Sequence, residues 1–265
     1  MKELMTFEEQ QKVAKNILKN FKYFCEKHGL RYYLHYGTLL GAVRHNDIIP
    51  WDYDIDVHMP RPDFDKFIEL TKDKDMCENM HTFSHENTKG YYLYFAKVCD
   101  MTTRLEMTLT KSKIPFGMWI DIFPLDAMPE DEALAQKRRA EIVALQKQAF
   151  YTVRSDVKGK EKIIRAIKNL KYMFGDCSEL IKRAHQIARE TDYETTSLVG
   201  SFSNFNCNVK ETVDKSYYDD TVMLPFGDEE YCCISKYDEW LTNIYGDYMT
   251  PPETIEEPRR FAYYI

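Results

Sequence analysis

"IIPWDYDIDVHMPR", residues 48–61, sets Asp52, Asp54 and Asp56 at every second position among apolar and aromatic neighbours. Read as a strand over "YDIDVHM" (53–59), the stretch brings alternate side chains onto one face. Three carboxylates side by side repel one another in a dry setting, so something positive belongs beside them. What that is decides both fold and chemistry.

Four readings compete. An EF-hand loop starting at Asp52 requires Gly at its sixth position and Glu at its twelfth. Those positions hold Val57 and Asp63, which excludes it. A solvated edge strand is the plain structural reading. A glycosyltransferase D-x-D, with two carboxylates holding a metal on a nucleotide-sugar diphosphate, is the third. The fourth is a nucleotidyltransferase arrangement, in which a Gly-Thr turn opens a helix, D-x-D follows on the next strand, and another strand brings a third carboxylate.

The chain supplies every part of the fourth reading. Gly37-Thr38 makes a turn into the helix "TLLGAVRH", whose free N–H groups suit phosphate oxygens. "WIDIFPLD" (119–126) carries Asp121 between Ile120 and Ile122. A carboxylate in an apolar strand is costly unless paired with a charge. One or two divalent cations held by Asp54, Asp56 and Asp121 satisfy all three, and Mg²⁺ or Mn²⁺ suits oxygen donors.

Working outward, Thr6 with Glu9 forms a capping box for a helix that shows Val13, Ile17, Phe21 and Phe24 on one face and stops at Gly29. Residues 31–36 read as a strand and "DFDKFIELTK" as a helix. Strands follow at 91–98, 103–109 and 117–123, and helices at 130–152, 160–190 and 233–245. The fold class is α/β (α+β): a small mixed sheet with flanking helices, a helical insertion and a C-terminal region. The divisions are a catalytic core over 1–128, a basic helical region over 129–192 and a C-terminal region over 193–265 that packs back on the core.

A net charge of -7 argues against a nucleic-acid binder. Seven cysteines without framework spacing, no apolar leader and no apolar run near about 18 residues predict a cytoplasmic protein.

"HYGTLLGAVRHNDIIPWDYDIDVHMPRPDF" (35–64), "FAKVCDMTTRLE" (95–106) and "WIDIFPLD" closely resemble the LicD family of phosphocholine transferases, with fukutin-like proteins as more distant relatives. "YDEWLTNIYGDYMTPPE" (237–253) resembles the family's C-terminal pattern. The resemblance covers about a third of the chain. It implies a nucleotidyltransferase-like fold and transfer of a phosphorylated alcohol, usually phosphocholine, from a CDP-activated donor such as CDP-choline to a glycan hydroxyl. CMP leaves. The family's W-D-D-D-I-D has Tyr53 in its middle place here. On a strand Tyr53 faces away from the carboxylates, so the metal site is expected to persist.

Asp54 and Asp56 are the expected metal ligands, and Asp121 is the third ligand or the base that takes the acceptor's proton. Asp52 either supports the site or caps a turn. Thr38 donates to a phosphate, and Gly37 permits close backbone approach. Arg44 reaches a phosphate or an aspartate, or forms a structural ion pair. Lys97 neutralises the leaving CMP, and Arg61 is a weaker candidate of the same kind. His35, His45 and His58 pack around the site. Trp51, Tyr53, Trp119 and the Tyr91/Tyr92/Tyr94 run include rings suited to a quaternary ammonium, most of the set being core.

Residues 137–190 hold 14 Lys and Arg against 6 Asp and Glu. In 160–174, an apolar face flanked by basic residues reads as a surface helix. It also reads as an interfacial helix docking on anionic lipid at the inner membrane face, where the family's acceptors are often built on a polyprenyl-diphosphate carrier.

Overall fold

The computed structural model describes residues 3–106, 110–154, 176–203, 209–255 and 261–265. The first helix, α1 (Phe7–His28), carries the predicted box: Thr6 Oγ1 accepts from Glu9 N–H, and Glu9 returns a bond to Thr6 N–H. Gly29, at φ 61°, ends it in the left-handed conformation.

The central sheet runs β1 (Tyr33–Leu34), β2 (Asp56–Pro60), β6 (Met118–Met128), β4 (Ala96–Asp100), β3 (Met80–Phe83). β2 and β6 are parallel, and the other pairs in that order are antiparallel. The far half of β6 turns to β7 (Leu198–Gly200), which pairs with β8 (Val213–Asp214). β5 (Thr103–Leu105) pairs with β11 (Ala262–Tyr264), and β9 (Thr221–Phe226) forms a hairpin with β10 (Glu229–Ile234). The mixed sheet with flanking helices is the α+β architecture expected.

Period-two alternation gives the sheet two unlike faces. Val57, Met59, Ala96, Val98, Ile120 and Ile122 share one buried cluster with Ala14, Ile17, Leu18 and Phe21 of α1 and with Phe64 and Phe67 of α3 (Arg61–Thr71). Asp56, His58, Lys97, Trp119, Asp121 and Phe123 occupy the alternate positions. Beyond them, α4 (Glu132–Val153) packs on α5 (Ser178–Ala188), and Ala149, Leu180 and Ile181 close over Tyr91, Tyr92, Phe83 and Phe116.

Several boundaries differ from the sequence reading. The strand expected over 53–59 begins at Asp56, so Asp52 and Asp54 lie in the segment leading into it. The helix expected from Thr38 begins at Tyr36, which places Gly37 and Thr38 inside the first turn of α2 (Tyr36–His45). Residues 91–95 form no strand; Tyr91, Tyr92 and Tyr94 are buried by the packing of α4 and α5, an effect of tertiary contacts rather than local pattern. The last helix, α6, spans only Tyr237–Tyr245, because part of the apolar run before it pairs as β10. The basic segment 160–174 lies outside the described residues.

Arg61 is a structural group. Its Nε donates to Asp126 Oδ1 at 2.7 Å, Nη2 reaches the Tyr94 hydroxyl at 3.1 Å, and Nη1 stands 3.0 Å from His185 Nδ1. Asp126 is wholly buried.

Candidate active site

Strand register builds the site. Asp56 on β2 stands opposite Asp121 on β6, which stands opposite Lys97 on β4. The three side chains therefore form one row across adjacent strands. Lys97 Nζ donates to Asp121 Oδ1 at 2.5 Å, and Trp119 Nε1 donates to Asp121 Oδ2 at 3.0 Å. Both oxygens of Asp121 are held, and the ammonium also lies 4.2 Å from the centre of the Trp119 ring.

The first turn of α2 closes on this row. Asp56 N–H donates to Thr38 Oγ1 at 2.8 Å, which ties the helix start to the strand start. The hydroxyl keeps its own proton to donate. Gly37 admits Asp52: a Cβ at position 37 would stand 3.0 Å from Asp52 Oδ2.

Asp52, Asp54, Asp56 and Asp121 thus act on one another, and Lys97 acts on Asp56 and Asp121. Burial pushes Asp56 well above the usual carboxylate range, and Asp54, Asp121 and Asp52 add to the push while Lys97 opposes it. Burial, then the hydrogen-bonded Asp54, raises Asp52 to about 8. Asp121 is also raised by burial, against the pull of Lys97 and Trp119. Such a set holds its protons or takes up cations.

The donor chemistry fits a hard divalent ion, since every group is a carboxylate oxygen. In the present geometry Lys97 supplies the positive charge, and among the described residues no three His, Cys, Asp or Glu side chains form a ready metal-binding group.

Three further groups escaped the sequence reading. Tyr36, at φ 46°, adopts a left-handed conformation rare for a non-glycine residue. Its hydroxyl donates to Glu211 Oε2 at 2.8 Å. Tyr245 is 44% exposed. Its phenol is raised by desolvation and then by the fields of Asp56, Asp52, Glu211 and Asp54. Glu211 ends the short 3-10 turn Val209–Glu211 and carries no local motif, so nothing in the sequence marked it.

Other predicted groups fall elsewhere. Arg44 lies about 10 Å along α2 from Gly37 at 1.5 Å per residue; its Nη1 donates to the Tyr248 carbonyl at 2.7 Å and its Nε to His45 Nε2 at 3.0 Å. Its described contacts include none of the four carboxylates. His35 and His58 stack at 3.4 Å, and burial lowers His58 to about 3, so this ring stays neutral. Tyr91 and Tyr94 are core. Tyr53 and Trp119 remain half-buried, each against Phe261 at 4.9 Å and 5.6 Å between ring centres.

A carboxylate row on adjacent strands, set against the first turn of a helix whose hydroxyl grips the strand start, defines a nucleotidyltransferase-type domain. The family described as LicD/FKTN/FKRP, nucleotidyltransferase domain, matches residues 29–172. Lipopolysaccharide cholinephosphotransferase LicD of Haemophilus influenzae is 30% identical over 260 residues, 96% of each chain. The chain belongs to the LicD family. Ribitol 5-phosphate transferase FKRP, of mouse and of human, is 66% identical over 32 residues, which are 12% of this chain and 6% of each FKRP.

Proposed function

We propose that the protein is a phosphotransferase that moves a phosphorylated alcohol, phosphocholine first among them, from a CDP-activated donor to a glycan hydroxyl and releases CMP. The observation that carries this is the Asp56–Asp121–Lys97 row beside the first turn of α2. Likeness along nearly the whole chain to a lipopolysaccharide cholinephosphotransferase supports the alcohol and the acceptor class.

Asp54, Asp56 and Asp121 supply the oxygen donors for Mg²⁺ or Mn²⁺. A divalent ion held there would supply neutralisation of the donor diphosphate's charge. Thr38 donates its free proton to a phosphate oxygen, and the first-turn N–H groups add to the cradle. Lys97 turns from Asp121 towards the charge that develops on CMP. Asp121 Oδ1, released, accepts the proton of the glycan hydroxyl. That hydroxyl attacks the phosphorus bearing the alcohol, and the bond to CMP breaks. Positioning and charge neutralisation carry the catalysis.

The test is a panel of CDP-alcohols with Mg²⁺, with and without glycan, followed by CMP release. CMP from CDP-choline that depends on acceptor supports the reading. Pyrophosphate release from a nucleoside triphosphate, with CDP-alcohols inert, replaces it with nucleotidyl transfer.

A further inference from the structure

One step along the strands from the charged row lies a second row on the same face. His58 stands opposite Phe123 in the β2–β6 register, and Phe95 packs against Phe123 with ring centres 4.4 Å apart. Tyr36 meets Phe123 edge-to-face, at 5.7 Å and 85°. The hydroxyl of the same Tyr36 holds Glu211 at 2.8 Å. Aromatic faces and a carboxylate therefore meet beside the next row along β2 and β6 from Asp56 and Asp121.

The opposite flank of the charged row is also aromatic, through Trp119, Tyr53 and Phe261. The two flanks differ in charge. The Lys97 ammonium lies 4.2 Å from the centre of the Trp119 ring and 5.2 Å from that of Phe95, so a second cation meets repulsion at either ring. On the Tyr36 side the partner of the hydroxyl is the Glu211 carboxyl. A fixed cation prefers ring faces backed by a carboxylate to a ring face already holding an ammonium.

We propose that Tyr36, Phe123 and Glu211 form the subsite that holds the quaternary ammonium of the transferred alcohol and selects choline over neutral alcohols. This rests on the CDP-alcohol reading of the site. It assigns a role to the left-handed backbone of Tyr36: a residue in that conformation is held there by its surroundings, here the rings it touches and Glu211. It also separates specificity from chemistry, because none of these groups belongs to the charged row.

The experiment compares CDP-choline with its neutral isostere, the CDP ester of 3,3-dimethylbutanol, by direct binding and by kcat/KM. The two differ only in charge at nearly equal shape. Wild type, Glu211→Gln, Phe123→Leu and Trp119→Leu are measured, with a thermal melt for each. The readout is the choline-to-isostere ratio within each protein, which cancels losses of folded or active fraction. Wild type should prefer CDP-choline at least tenfold. Glu211→Gln and Phe123→Leu should cut that preference at least threefold, while Trp119→Leu should leave the ratio in place even as its rate falls. An unchanged ratio in both Glu211→Gln and Phe123→Leu overturns the subsite, as does a ratio lost only in Trp119→Leu. Failure of the underlying reading looks different: wild type then turns over neither ester.

Discussion

Lys97 Nζ and Asp121 Oδ1 stand 2.5 Å apart, with both side chains nearly closed to solvent. The pair sits in the middle of a set of carboxylates that lacks any other described cation contact. Lys97→Met leaves Asp121 buried without its counter-charge, and breaking a buried pair in this way costs about 3–5 kcal/mol. We expect a lower denaturation midpoint and a loss of kcat/KM of at least about a hundredfold, the low end of what losing one oxyanion-stabilising donor costs. Chemical denaturation and steady-state kinetics of the same preparation check both.

Asp54→Asn and Asp56→Asn each remove one ionisable carboxyl from a repelling set. Transfer should vanish while the metal-free protein melts at the same or a higher temperature. Full transfer by either variant removes these residues from the site.

Stability should depend on pH through Asp52. Its folded value, about 8, lies above the ordinary 3.8. Between those values the native state keeps a proton that the unfolded chain has released, so this group's contribution falls as pH rises. The buried histidines His35, His58, His85 and His185 have lowered values and act in the opposite sense below about 6.5. Melting temperatures taken in chelator from pH 7 to 8.5 avoid them. Wild type should lose stability across that range relative to Asp52→Asn, and parallel curves would exclude the raised carboxylate.

Arg61→Met tests a negative expectation. The guanidinium is locked to wholly buried Asp126, so its loss should destabilise the fold by about 3–5 kcal/mol. Donor Kd, measured below the melting transition, should not change. A donor affinity that collapses with stability intact would return Arg61 to the site.

What the sequence made legible follows from how local each signal is. The cap of α1 is set by residues three apart, and Thr6 and Glu9 meet as read. Asp121 announced itself as a lone charge in an apolar strand. Its partner could not be read, because Lys97 reaches it through the β4–β6 register, which no local pattern encodes. The D-x-D spacing suggested a single strand, yet only Asp56 is in one; Gly37 lets Asp52 fold against the start of α2 instead. Arg61 looked like a site cation because it follows the carboxylates directly, whereas the reversal from β2 into α3 turns it to Asp126. Glu211 and Tyr245 come in from the far end of the chain, through the packing of α6 on α2 and on the short turn at 209–211. Spacing alone carries no trace of such contacts.

The most direct test of the central claim is ³¹P NMR of CDP-choline incubated with Mg²⁺ and a lipopolysaccharide-type acceptor, comparing wild type with Asp56→Asn. CMP and a glycan phosphodiester should appear in equal amounts with wild type and neither with the variant. Equal turnover by both proteins, or transfer of CMP itself to the acceptor with phosphocholine released, would contradict that claim.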